Sequence, residues 1–98
     1  MKIVWSPLAV ERASEIAEYI ALDNPTAAQN WVYEVFEKVK LLSSSPEMGR
    51  VVPEVERNEI RELLFVNYRI LYRIENDSIS VLTIRHCKQI LPVSEIMT

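Results

Sequence analysis

One histidine, one cysteine and a late cluster of arginines are the residues in this 98-residue chain that could do chemistry. His86 is the only side chain whose ordinary pKa suits proton transfer near neutrality. Between Arg57 and Lys88 stand six cations, Arg57, Arg61, Arg69, Arg73, Arg85 and Lys88, against Glu59, Glu62, Glu75 and Asp77. The C-terminal third therefore carries a local positive excess, which suits an anionic or acidic partner. Cys87 stands alone, so no internal disulfide forms, and a single histidine beside a single cysteine leaves zinc without a ligand set. No cofactor and no metal are expected.

The chain as a whole does not read as a nucleic-acid binder. Eleven Lys and Arg face fourteen Asp and Glu, a net charge of -3, whereas gripping a phosphate backbone favours a positive excess that releases counterions. Half the residues are apolar, the proportion of a folded domain. No apolar run approaches a membrane span, and no basic start followed by an apolar stretch suggests a secretion signal. The expectation is one domain over residues 1–98, metal-free and cytosolic.

The elements that must position these residues follow from periodicity. Lys2-Ile3-Val4-Trp5 suits a short strand. Ser6-Pro7 then starts a helix, with serine as cap and proline at the first helical position. Its stripe of Ala9, Ala13, Ile16, Ala17 and Ile20 carries to about Asp23. Asn24-Pro25 repeats the device and opens a second helix, in which Ala28, Trp31, Val32, Val35, Phe36, Val39 and Leu42 share one face. The short connection makes the two helices an antiparallel hairpin. Ser43-Ser44-Ser45-Pro46 ends the second helix, and a loop from Ser45 to Glu54 follows.

The period then changes to two. Tyr68, Ile70, Tyr72 and Ile74 alternate with Arg69, Leu71 and Arg73, a strand flanked by partners near Glu59–Phe65 and Ile79–Arg85. The architecture is α+β: an N-terminal strand, the helical hairpin, then a three-stranded antiparallel meander. Both helices pack on one face of the sheet, and the other face stays half exposed. On that open face Arg69 and Arg73 offer a partner surface, or else pair with Glu59 or Glu62 across the ladder. Arg61 shares its strand face with Leu63 and Phe65. Cys87 reads as a small buried hydrophobe, and His86 as a hydrogen-bonded structural histidine. The tail from Ile90 to Met97 is apolar and must fold back on the sheet or be covered by a partner.

Several stretches resemble the ParE/RelE superfamily of toxins from bacterial type II toxin–antitoxin modules. They are Trp5-Ser6-Pro7-Leu8-Ala9, Tyr19-Ile20 and Asn24-Pro25-Thr26-Ala27-Ala28, then the loop Ser45-Pro46-Glu47-Met48-Gly49-Arg50 with Pro53-Glu54. Arg61-Glu62-Leu63, Tyr68-Arg69-Ile70-Leu71-Tyr72 and Ile84-Arg85-His86 complete the series, which covers about residues 3–90. The resemblance implies the same fold and a cognate antitoxin partner that wraps the toxin and, within the complex, supplies any DNA contact. It leaves two activities open. RelE-like members cut ribosome-bound messenger RNA, and ParE-like members bind and block DNA gyrase.

Cutting RNA through its 2′-hydroxyl needs a base, an acid and cations on the crowded phosphorane. Laid on the RelE pattern, only Arg69, after Tyr68, is kept. The lysine positions fall on Ile60 and Glu62, the late arginine falls near Gln89, and no tyrosine follows Tyr72. The alternative set implied by other relatives would join Glu54 or Glu62 with His86 and with Arg61 or Arg69. The missing cations favour the gyrase-directed, ParE-like reading, in which no residue is catalytic. Arg50, Arg61, Arg69, Arg73, Arg85, Ile90 and Leu91 are then the candidate partner contacts. A member that only binds its antitoxin is the third possibility.

Overall fold

The computed structural model describes residues 1–97. Strand β1 (Lys2–Trp5) leads into helix α1 (Pro7–Asp23) and helix α2 (Pro25–Lys40), and strands β2 (Arg50–Val51), β3 (Ile60–Phe65), β4 (Tyr68–Ile74) and β5 (Ser78–His86) follow. One-turn 3-10 segments at Leu41–Ser43, Pro46–Met48 and Val93–Glu95 fill the connections. This is the expected α+β arrangement, with both helices on one face of the sheet.

Local chemistry explains the helix boundaries. The Ser6 Oγ accepts from the Ala9 amide at 3.0 Å, and Pro7 gives α1 its first residue without wasting a donor. The same hydroxyl donates to the Leu82 carbonyl at 2.9 Å, so the cap also pins α1 to β5. Asn24 has two tasks. Its amide donates to the Ile20 carbonyl, closing α1, while its Oδ1 accepts from the Ala27 amide, opening α2. A single extended residue therefore separates the helices, and they must fold back on each other.

The sheet has five strands in the order β1-β5-β4-β3-β2, with β1 parallel to β5 and every other pair antiparallel. Two features correct the sequence reading. The expected loop from Ser45 to Glu54 contains β2, whose Arg50 and Val51 pair with Glu62 and Arg61 of β3. Gly49 enters that strand so closely that a Cβ there would stand 2.5 Å from the Glu62 carbonyl and 2.7 Å from the Tyr72 hydroxyl. Only glycine fits. The β4–β5 register also slips between Leu71 and Tyr72, which pair with Thr83 and Val81 and leave Leu82 as the extra residue of a bulge.

Two cores result. On the helix side, Ala9, Ala13, Trp31, Val35, Val39 and Leu42 pack on Leu63, Ile70, Tyr72, Ile79, Val81 and Ile84. Phe36, expected in this stripe, is 40 % exposed and lies against Trp5 with ring centroids 4.6 Å apart. The opposite face is not half open at its centre, as expected, but carries a second cluster. Val52 from the β2–β3 loop and Leu91 and Ile96 from the tail cover Ile60 and Leu71. The tail thus folds back on the sheet.

Candidate functional site

The alternation of β3 and β4 sends Glu62 and Arg69 to the second face, and β2 brings Arg50 beside them. They form a chain of alternating charge. Glu62 accepts from the Nε of Arg50 and the Nε of Arg69, each at 2.5 Å, and the two terminal nitrogens of Arg69 donate to both carboxylate oxygens of Glu54 at 2.8 Å. The Glu62 side chain is fully buried and that of Arg69 only 8 % exposed. The hydrogen bonds that Arg69 donates to Glu54 and Glu62 outweigh burial and fix its guanidinium in the charged form. The Glu54 carboxyl is held below its ordinary range chiefly by its hydrogen bonds from Arg69. Two cations and two anions cancel, and three of the five N–H donors of Arg69 are already taken by carboxylates.

A second network lies toward the tail. Glu95 accepts from Thr83 Oγ1 at 2.8 Å, from Arg12 of α1 at 3.0 Å and from two nitrogens of Arg85. Burial raises the pKa of this carboxyl, yet the bonds from Arg85, Thr83 and Arg12 prevail and bring it to about 2. Arg73 is engaged as well, donating to the Ile96 carbonyl at 3.0 Å. Arg61 points to the helix side and binds the carbonyls of Asn58 and Gly49, each at 2.9 Å, so it braces two loops.

His86 stands on the opposite face from Arg69. It pairs with Tyr68, their rings 5.2 Å apart edge to face, and its Nδ1 accepts from the Lys88 amide at 3.0 Å. That bond leaves the proton on Nε2. The ring borders a cleft of about 550 Å³ with Tyr19 and Ile16 of α1. The structure thus brings Arg50, Glu54, Glu62 and Arg69 together and separates them from His86 by the thickness of the sheet. Arg61 joins neither group. Ile90 is 91 % exposed whereas Leu91 is buried, so only the first of the pair is a surface residue. Cys87, expected to be buried, is exposed.

Two features escaped the sequence reading. Glu95 is the hub of the tail network, but Arg12 lies on α1, 83 positions away, and Thr83 and Arg85 lie on β5, 12 and 10 positions back, where the turned chain brings them together. The outer side of the helical hairpin is a groove of about 710 Å³ floored by Ala17, Ala21 and Ala28 and walled by Val32, Tyr33 and Phe36. Its signal was the run of alanines where two helices face each other, since small side chains leave the valley between them unfilled. Among the described residues no three His, Cys, Asp or Glu side chains gather to hold a metal ion, and no helix is long and apolar enough to cross a membrane.

A helical hairpin lies across a five-stranded sheet, with Arg69 and Arg85 locked by carboxylates. A solved chain of the chromosomal ParDE TA system from P. aeruginosa has this fold, with a TM-score of 0.74 over 90 % of this chain and 97 % of its own, at 24 % identity. "Putative toxin Y4kP" of Sinorhizobium fredii (strain NBRC 101917 / NGR234) is 34 % identical over 93 residues, 93 % of each chain. The model of the family described as ParE toxin of type II toxin-antitoxin system, parDE, matches residues 3–91. The chain belongs to this ParE toxin family, and membership implies an antitoxin partner.

Proposed function

We propose that this chain is a single-domain toxin of the cytoplasm that blocks DNA gyrase by binding it, without chemistry of its own, and is neutralised by a cognate antitoxin. The observation that carries this reading is the division of the polar residues between two faces. Base and cation candidates, Glu54, Glu62 and Arg69, are tied with Arg50 into one neutral network on one side, and the acid candidate, His86, lies on the other. An in-line cleavage needs acid, base and cations around one phosphate. Surface recognition needs none of these. Family membership supports the toxin role, and the net charge of -3 fits a protein partner better than a nucleic acid.

The test is a supercoiling assay with purified protein, beside a cleavage assay on ribosome-bound message. Gyrase turnover should fall in proportion to added toxin while the message stays intact. Cleavage that disappears in both Arg69→Ala and His86→Ala would make the protein an RNA-cutting enzyme instead. Silence in both assays, with tight antitoxin binding retained, would mark a member that has lost its toxicity.

A further inference from the structure

One end of the sheet carries a strained valine that packs on nothing. Phe65 and Tyr68 pair across β3 and β4, so Val66 and Asn67 form a two-residue loop. Such loops turn on a left-handed backbone, which glycine, asparagine and aspartate adopt most readily. Here Val66 adopts it, with a φ of 55°. Its branched Cβ is crowded by the backbone in that conformation, a strain that asparagine or glycine would relieve. Packing does not offset it, since Val66 is 76 % exposed and belongs to neither core cluster. Other apolar side chains share this end. The Cys87 amide donates to the Asn67 carbonyl at 2.7 Å, which sets the end of β5 beside the loop. Leu64, 47 % exposed, lines one small depression with Cys87. Ile90, 91 % exposed, follows Gln89, which borders the same cleft as Asn67. The two segments that meet here, 64–69 and 85–90, hold Arg69, Arg85 and Lys88 and no acidic residue. Arg69 and Arg85 are bound by carboxylates from elsewhere in the chain. Lys88 is exposed and forms no ion pair among the described residues.

We propose that Val66, with Leu64 and Ile90 beside it, is the knob by which this toxin enters an apolar pocket with an acidic rim on the protein it blocks. The inference rests on the reading of the chain as a toxin that acts by binding, and it adds the place and the chemistry of the contact. A residue that strains the fold and packs against none of it is accounted for by what it touches in a complex. Valine suits that task, because a branched side chain with few rotamers loses little freedom when a pocket closes on it. Lys88 gives this end a free positive charge on a molecule whose net charge is -3, which selects an acidic rim and steers the approach. Two other occupants fit worse. Three aliphatic side chains offer no donor to a phosphate backbone. A second copy of this chain meeting knob to knob would oppose like charges.

The test compares the native chain with three variants in the supercoiling assay, with the urea midpoint of each measured alongside. Val66→Asn suits the left-handed backbone, so its midpoint should rise while the concentration that halves supercoiling increases at least tenfold. A residue that served only the fold would give the opposite pattern, better stability with inhibition kept. Ile90→Asn should weaken inhibition to a lesser degree and leave the midpoint unchanged. Lys88→Glu should weaken binding to gyrase about threefold, a deficit that shrinks as salt is raised. Full inhibition by Val66→Asn would overturn the proposal, as would lost inhibition that accompanies a lower midpoint. A dimer of the native chain that Val66→Asn abolishes would also overturn it, by making a second copy the occupant. Growth arrest on expression in cells separates this proposal from the gyrase reading. Arrest without gyrase inhibition, relieved by Val66→Asn, sinks only the gyrase reading, and gyrase inhibition that Val66→Asn retains sinks only the knob. A native chain that neither arrests growth nor inhibits gyrase sinks both.

Discussion

The two faces of the central sheet are built from the same three strands by the same alternation, yet they are held in different ways. The helix-side face is apolar at its centre, with Arg61 and His86 only toward its edges, and it is covered by two helices that are continuous in sequence and tightly capped. The other face mixes Ile60 and Leu71 with Glu62, Arg69 and Arg85, and its cover comes from one loop and the tail. Apolar contact is non-directional and tolerates small shifts, whereas a buried charge needs its partner in one position. The first face should therefore respond to lost volume, and the second to lost pairing.

The largest effect should come from cutting the charge chain at its centre. Glu62→Ala leaves Arg69 and Arg50 without a shared acceptor and should cost about 3–5 kcal/mol of stability, read as a shift in the urea midpoint. Replacing both Glu62 and Arg69 by Leu and Met should cost far less than the single change, because the desolvated pair disappears together. If the double variant were less stable than the single one, the distinction between the faces would fail.

The neighbours Ile70 and Leu71 give a finer comparison, since both are fully buried but on opposite faces. Ile70→Ala opens a hole among side chains fixed by α2 and should cost about 3–4 kcal/mol. Leu71→Ala should cost about 2 kcal/mol, because the loop and tail above it can settle into the space. Equal costs would mean that the tail packs as rigidly as the helices.

The same contrast explains what the sequence could tell. Ser6-Pro7 and Asn24-Pro25 placed both helix starts, because a cap and the helix it starts are neighbours in the chain. Tyr68–Ile74 was legible for a similar reason, as alternation is written in consecutive residues. The parallel seat of β1 beside β5, the β2 pairing that requires Gly49, and the bulge at Leu82 depend on partners far along the chain. The second face was misjudged as half open because Leu91 and Ile96 reach it only after the chain turns back. At the candidate site, Arg69 stands out in the sequence as the arginine after Tyr68 on β4. Its bidentate bond to Glu54 was not legible, since a strand residue and a loop residue fifteen positions apart share no periodic signal. The groove on the hairpin was missed because a stripe reports only what a helix buries, not the valley it leaves beside its neighbour.

The last comparison concerns the latch that keeps the tail on the second face. Glu95 joins the tail to α1 and β5 through Arg12, Arg85 and Thr83, and its pKa falls from 4.5 to about 2. A carboxyl whose folded value is depressed stabilises the fold fully above its ordinary pKa and loses that contribution as pH drops through the folded value. The expected loss, on the order of 2–3 kcal/mol, therefore falls between about pH 4.5 and pH 2. Glu54, also depressed, adds to the loss in the same acid range, so one variant must isolate the tail. Glu95→Gln should lower stability at pH 7 and flatten this acid dependence. The methyl resonances of Leu91 and Ile96 should broaden or shift in acid for the native chain, while those of Ile70 remain unchanged. Ile70 sits under the helices, where no charge holds the cover in place. Acid sensitivity of equal size at Ile70 and Ile96 would show that the tail does not open separately from the rest of the fold.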